Sequence, residues 1–259
     1  MRPHLGFHAA LLPLSLLCSL TAAASEPQPA FPAPRLAPYP DAGSEVRVAE
    51  YDAAKAQLET ARVALAARWR GAKSRSEREA VEADAAEVLE RALVELSNPW
   101  LGTTWGFYGT TQTPGQGQIA CGYFVTTLLR DAGLKIQRVR LAQQASEYIV
   151  RSLAPPSQVW RFRTGSVKSV LDTVRAQRAR WFVVGLDFHV GLLLRLDDGV
   201  VRFCHASYLP PGHAVCEDAE TALAMQSGYH VVGALFTPQW VRRWLRGEDV
   251  PSVLPAGAR

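Results

Sequence analysis

The sequence predicts an α+β domain, with helices in the first part of the chain and an antiparallel sheet in the second. Three observations carry that expectation. Residues 44–98 are rich in Ala, Glu and Arg, with apolar positions at helical spacing. Residues 181–208 switch to β-branched and aromatic residues, interrupted by the turn signal Asp197-Asp198-Gly199. The composition is that of an ordinary globular chain: 259 residues, 48% hydrophobic and 20% charged, suffice for one full domain and a smaller appendage.

Taken in chain order, residues 1–24 read as an export signal. Arg2 and His4 precede an apolar run from Ala9 to Leu20, and Ala22, Ala23 and Ala24 supply a small-residue cleavage site. The mature chain is expected to begin at Ser25, in a secreted or periplasmic, oxidising compartment. Cys18 would permit lipid anchoring, but Leu17 stands where that signal normally carries a small residue, so cleavage after Ala24 is favoured. Residues 25–43 are proline-rich and lack periodicity, as an extended linker would.

Residues 44–98 predict a helical hairpin, from Ser44 to about Trp69 and from Ser74 to about Ser97. Ser74 and Glu77 form a candidate capping box, and Asn98-Pro99 a stop. The main domain, residues 99–259, opens with a glycine-rich loop from Gly102 to Ala120. A helix follows from about Cys121 to Ala132, closed by Gly133 as a left-handed cap. Further helices are expected over Leu141–Leu153 and Val167–Gln177. The run Trp181–Leu196 reads as one long strand buried on both faces, VVRFCHASY as its hairpin partner, and His230–Thr237 as another strand.

The formal charge is +4 and the basic residues are scattered, so a nucleic-acid partner is not expected. After the leader no stretch reaches the roughly 18 consecutive apolar residues that a spanning helix needs, so no stable membrane insertion is expected once it is removed.

Beyond Cys18 the cysteines are Cys121, Cys204 and Cys216, an odd number that leaves at least one unpaired within the monomer. Cys204 and Cys216 flank Pro210-Pro211-Gly212, a turn that could join them. Two readings stay open: a disulfide, or two small buried side chains. A bridge would leave Cys121 as the free thiol.

Cys121 follows QTPGQGQ and opens an apolar helical run, where backbone N–H groups point outward and favour thiolate. A nucleophilic thiol also needs a general base and a group to orient that base. His189 lies in DFHVGLLL, an otherwise apolar strand in which an unpaired imidazole would be costly. His205 stands across the Asp-Asp-Gly turn, where antiparallel pairing brings it near His189, although a one-residue slip would turn a ring to the other face. His213 and His230 read as surface or core histidines. A zinc site from His205, His213 and Cys216 is disfavoured by irregular spacing and by an oxidising compartment, so no metal and no cofactor are expected.

The segments LGTTWGFYGTTQTPGQGQIACGYFV, FHVGLLL and FCHASY, within residues 101–208, resemble the NlpC-like, papain-fold cysteine peptidases of bacterial cell walls. The resemblance implies a papain-like core, with Cys121 as nucleophile, His189 as base and His205 as orienting group. It departs from that family at the nucleophile, where Asp-Cys-Ser-Gly is replaced by Ala120-Cys121-Gly122-Tyr123. The family tyrosine near the nucleophile would correspond to Trp105 or to Tyr108, of which only Tyr108 has a hydroxyl. Gln116 and Gln118 are alternative oxyanion donors beside the backbone N–H of Cys121. Trp100, Trp105, Tyr108 and Tyr123 are candidates for lining a groove. Asp187 is expected to be an exposed or capping carboxylate.

The function expected from these residues is thiol-mediated cleavage of an amide, which the resemblance places in peptidoglycan stem peptides. Two alternatives are a thiol acyltransferase or lipid hydrolase on the same fold, and a catalytically silent binding module.

Overall fold

The computed structural model describes residues 44–163 and 166–255. The expected export signal with its expected cleavage after Ala24, Cys18, and the expected linker 25–43 lie outside the described residues.

The chain opens with α1 (Ser44–Gly71) and α2 (Arg75–Ser97). Ser74 Oγ accepts from the N–H of Glu77 at 3.1 Å, while the Glu77 carboxylate takes the N–H of Lys73 at 2.6 Å. The predicted capping box therefore closes one residue earlier than its usual form. A short 3₁₀ turn at Asn98–Trp100 ends the hairpin. Tyr51 of α1 packs edge-on against the buried Trp100, which in turn meets Phe124 edge-on, at centroid distances of 5.7 and 6.5 Å. Tyr51 also donates to the Asp131 carboxylate at 2.7 Å. The hairpin thus shares one hydrophobic core with the rest of the described chain and backs the helix that begins at Cys121.

That helix is α3 (Cys121–Asp131). Gly133 follows it at φ +88°, and the Trp244 indole N–H bonds the Ala132 carbonyl at 2.8 Å, so its far end is closed by backbone and side chain together. Next come α4 (Arg138–Ala142), α5 (Ser146–Leu153), β1 (Val159–Phe162) and α6 (Val167–Ala176). The strands β2 (Trp181–Leu186), β3 (Val190–Arg195), β4 (Val201–Ala206), β5 (Ala214–Asp218) and β6 (His230–Ala234) follow, and α7 (Pro238–Arg246) closes the described chain. The six strands form one antiparallel sheet in the order β1-β6-β2-β3-β4-β5. One face packs on α3, α5 and the hairpin, and the other on α6. The α+β class follows.

Two expectations are corrected. The helix expected over Leu141–Leu153 is two helices, because its halves dock on different partners. Gly122 sits against the Ala142 carbonyl with no room for a Cβ, which fixes α4. Gly185 lies against Ser146, whose hydroxyl bonds the Leu186 carbonyl at 2.8 Å, which fixes α5. The single strand expected over Trp181–Leu196 is a hairpin of β2 and β3, turning at Asp187-Phe188. The Leu186 N–H bonds the His189 carbonyl at 2.8 Å, and the Asp187 carboxylate accepts from Ser227 Oγ and Gly228 N–H at 2.8 Å and from Tyr229 N–H at 3.2 Å. Both strands are buried on both faces, so no polar alternation marks the turn. Strands β1 and β5 are additional to the elements expected.

Candidate active site

The loop before Cys121 is organised by backbone pairing. Gly102 N–H bonds the Ala214 carbonyl at 2.8 Å and Trp105 N–H the Gly212 carbonyl at 2.9 Å, which ties the loop to the start of β5. Ile119 N–H bonds the Thr104 carbonyl at 3.0 Å and Ala120 N–H the Gly109 carbonyl at 2.9 Å, so the loop folds back on itself. Gly109 is required here, because a Cβ would lie 2.5 Å from the Ile119 nitrogen. Ala120 then enters α3 in an extended conformation (φ −83°, ψ 159°) and brings no side chain to accept the first helical N–H groups. An Ala at this position costs about 1 kcal/mol relative to a capping residue. It also leaves those donors facing the site.

The Cys121 sulfur lies among the N–H groups of Val190, Gly122 and Cys121 itself. Burial nonetheless pushes the thiol above its usual pKa, and these N–H groups offset only part of that rise. The thiolate preference expected from the helix start is therefore outweighed by desolvation. Burial, with the nearby His205, holds His189 well below the ordinary histidine pKa, and burial also lowers His205. Both shifts favour the neutral thiol and the neutral imidazole over the ion pair.

His189 sits at the end of the β2–β3 turn, immediately before β3, rather than inside a strand. Its Nε2 lies 2.7 Å from His205 Nδ1, and His205 Nε2 lies 3.0 Å from Glu217 Oε1. The His189 Nδ1 is buried and has no hydrogen-bond partner among the described residues. The Phe203 ring stacks on His205, with centroids 4.0 Å apart and planes 17° from parallel. Gly191 makes room for this stack, since a Cβ there would overlap Phe203 and come within 2.9 Å of His205 Cβ. Cys204 and Cys216, opposite each other on β4 and β5, form a disulfide with Cα atoms 4.0 Å apart, which leaves Cys121 as the free thiol among the described residues.

Cys121 and His189 line two adjoining cavities. The larger, of about 670 Å³, is walled by Trp105, Phe107, Tyr108, Tyr123, Phe188 and Tyr208, with no Asp, Glu, Lys or Arg in its lining. The smaller, of about 200 Å³, runs between the Gln144–Ser146 segment and Asp187. Three rim aromatics are strongly exposed: Phe188 at 91%, Tyr108 at 90% and Phe107 at 72%. Of the sequence-predicted residues, Cys121, His189, Trp105, Tyr108 and Tyr123 meet at the larger cavity, and His205 stands behind His189. Gln118 lies elsewhere, its side chain packed against Gly106, and lines neither cavity. Trp100 is core. His230 is a buried histidine bonded through Nε2 to the Met225 carbonyl, and His213 belongs to a bridge with Thr104. No cluster of three or more His, Cys, Asp or Glu suited to a metal ion occurs among the described residues.

Glu217 and the Val190 N–H were not anticipated. The sequence held a signal for Glu217. Pairing Cys204 with Cys216 sets the β4–β5 register, which puts Phe203 opposite Glu217 and thus Glu217 on the same face as His205.

Compared with models of known protein families the chain matches none, and no curated protein matches it in sequence.

Proposed function

We propose that this chain is a cysteine amide hydrolase of the NlpC-like, papain-fold type. The carrying observation is that Cys121 and His189 share a cavity while His189 spends Nε2 on His205 and keeps a buried, unpartnered Nδ1. In the proposed cycle the thiol proton passes to His189 Nδ1 as sulfur attacks the amide carbonyl carbon. The N–H groups near the Cys121 sulfur at the head of α3 would donate to the developing oxyanion, with Tyr108 on the rim as a further donor. His189 then returns the proton to the leaving amine as the C–N bond breaks, giving a thioester. Water attacks the thioester, His189 takes its proton, and the acid departs as the thiol re-forms.

The Cys204–Cys216 disulfide supports placing this activity in an oxidising, extracytoplasmic compartment, where peptidoglycan stem peptides are the proposed substrate. Among the described residues no helix is long and apolar enough to cross a membrane. A second reading, a thiol acyltransferase or lipid hydrolase, is favoured by one observation: the larger cavity is walled by aromatics and carries no charged side chain. Incubating purified sacculi, and separately diacyl phospholipid vesicles, with wild type and Cys121→Ala separates the two. Cys121-dependent muropeptide release supports the amidase. Cys121-dependent fatty-acid release supports the second reading, and equal products from both proteins would remove Cys121 from the chemistry.

A further inference from the structure

We propose that Glu217 is a positioning residue that sets the direction of the His205–His189 hydrogen bond and thereby leaves His189 Nδ1 free to act as base. This rests on the thiol–imidazole reading above and adds a fourth member to it.

Two neutral imidazoles sharing one hydrogen bond can share it in either direction, and the distance of 2.7 Å does not distinguish them. If His205 Nδ1 carries the proton, it donates to His189 Nε2, and His189 must hold its own proton on Nδ1. Such a His189 presents an N–H to the thiol and accepts nothing. If His189 Nε2 carries the proton, His189 Nδ1 is a lone pair. The choice is made at the far nitrogen of His205, which lies 3.0 Å from Glu217 Oε1.

An ionised carboxylate can only accept, so His205 Nε2 must hold the proton and donate to Glu217. A neutral His205 then has only a lone pair on Nδ1, which accepts from His189 Nε2–H. The relay runs His189 Nε2–H to His205 Nδ1, then His205 Nε2–H to Glu217 Oε1, and it ends with an unprotonated Nδ1 at the site. When His189 becomes an imidazolium during the reaction, the same carboxylate lies at the far end of the chain and favours the positive charge. The Glu217 side chain is 34% exposed while His205 is fully buried, so the carboxylate keeps contact with water and still reaches the ring. The disulfide between the neighbouring Cys204 and Cys216 locks the register that makes this contact.

Three substitutions test the direction of the relay. Glu217→Gln keeps an oxygen acceptor, Glu217→Ala removes it, and Glu217→Lys offers donors only. In the full chain with ring-¹⁵N histidine, long-range ¹⁵N–¹H spectra at pH 8 report the tautomers, assigned through single-histidine variants. Wild type is expected to show His189 and His205 both protonated on Nε2. Glu217→Lys is expected to move both protons to Nδ1. Cys121 alkylation by iodoacetamide at pH 7 should fall less than about 3-fold in Glu217→Gln, about 10-fold in Glu217→Ala and about 100-fold in Glu217→Lys, within the range general-base loss produces. A wild-type spectrum with His189 protonated on Nδ1 overturns the proposal even if every variant misfolds. So does an alkylation rate unchanged across the three variants while His189→Ala is slow. If His189→Ala alkylates as fast as wild type, the thiol–imidazole reading fails, and the wild-type tautomer spectrum alone decides whether Glu217 sets the ring protons.

Discussion

The back and the front of the candidate site are built on opposite principles. Behind the cavity, His189 and His205 are buried, hydrogen-bonded and covered by Phe203, and a disulfide fixes the adjacent strand pair. In front, Phe107, Tyr108 and Phe188 stand in solvent and offer apolar surface that the fold itself does not use. The back holds proton positions, which tolerate little displacement. The front offers contact area, and an exposed ring that buries nothing in the free protein gains by covering a ligand. Substitutions at the back should therefore cost rate or stability, and substitutions at the front should cost affinity.

The largest effect is expected at His189. His189→Ala should lower turnover of whichever substrate the sacculus or vesicle assay identifies by about 10²–10⁴-fold at nearly constant KM, as removal of a general base does. A change confined to KM would put His189 among the binding groups and erase the contrast. Next is the disulfide. Replacing Cys204 and Cys216 together by Ala should cost about 2–4 kcal/mol, read as a fall in Tm of about 10 °C. Because Glu217 adjoins Cys216, alkylation of Cys121 should slow in the same variant below its Tm. A loss of stability with Cys121 reactivity intact would show that the relay keeps its register without the bridge.

At the front, Phe188→Ala and Tyr108→Ala should leave folding stability within about 0.5 kcal/mol, because each ring is nine-tenths exposed. The same changes should raise KM about 10-fold, about 1.4 kcal/mol, with kcat held. If instead kcat falls with Tyr108→Phe, the hydroxyl belongs to the oxyanion site and Tyr108 moves from the front group to the back one.

What the sequence disclosed follows the same division. The helix opened by Cys121, the Gly133 cap, the Asp197-Asp198-Gly199 turn and the His189–His205 approach were legible because each depends on local chemistry or on a pattern that repeats every two residues. The Asp187-Phe188 turn was not, because its stabilising partners, Ser227, Gly228 and Tyr229, are some 40 residues away in sequence. The break between α4 and α5 was hidden for the same reason, since it follows from Gly122 and Gly185 meeting two different helices. The acidity of Cys121 was misjudged: helix position is visible in a sequence, whereas the depth of a sulfur is not. Glu217 became visible only once the disulfide fixed the strand register.

The smallest effect turns on buried titratable groups at the two ends of β2. Past the Leu186 end stand the two histidines, both with lowered pKa. At the Trp181 end stands Glu90, whose carbonyl accepts from the Trp181 indole at 2.9 Å and whose carboxyl is raised by burial to about 7, with Arg180 opposing the rise. The signs differ. A histidine whose folded pKa is depressed makes the unfolded chain bind more protons below about 6.5, so stability is lost as pH falls from there. A carboxyl whose folded pKa is raised makes the folded chain bind more protons, so stability is lost as pH rises from the unfolded value through about 7. The two slopes oppose each other between about pH 4.5 and 6.5, and wild type should show a shallow profile there. Glu90→Gln removes one slope. It should stabilise the protein by about 1 kcal/mol at pH 8, where the folded carboxylate is charged and poorly hydrated, and by less at pH 5, where the folded carboxyl is neutral and only the unfolded chain ionises it. Urea unfolding of Glu90→Gln from pH 8 to pH 5 then exposes the histidine slope alone, falling steadily below pH 6.5. A flat profile would mean that the rings accept protons while folded, and a site that tolerates two charged imidazoles would not be the dry, proton-ordered back on which the contrast with the aromatic front depends.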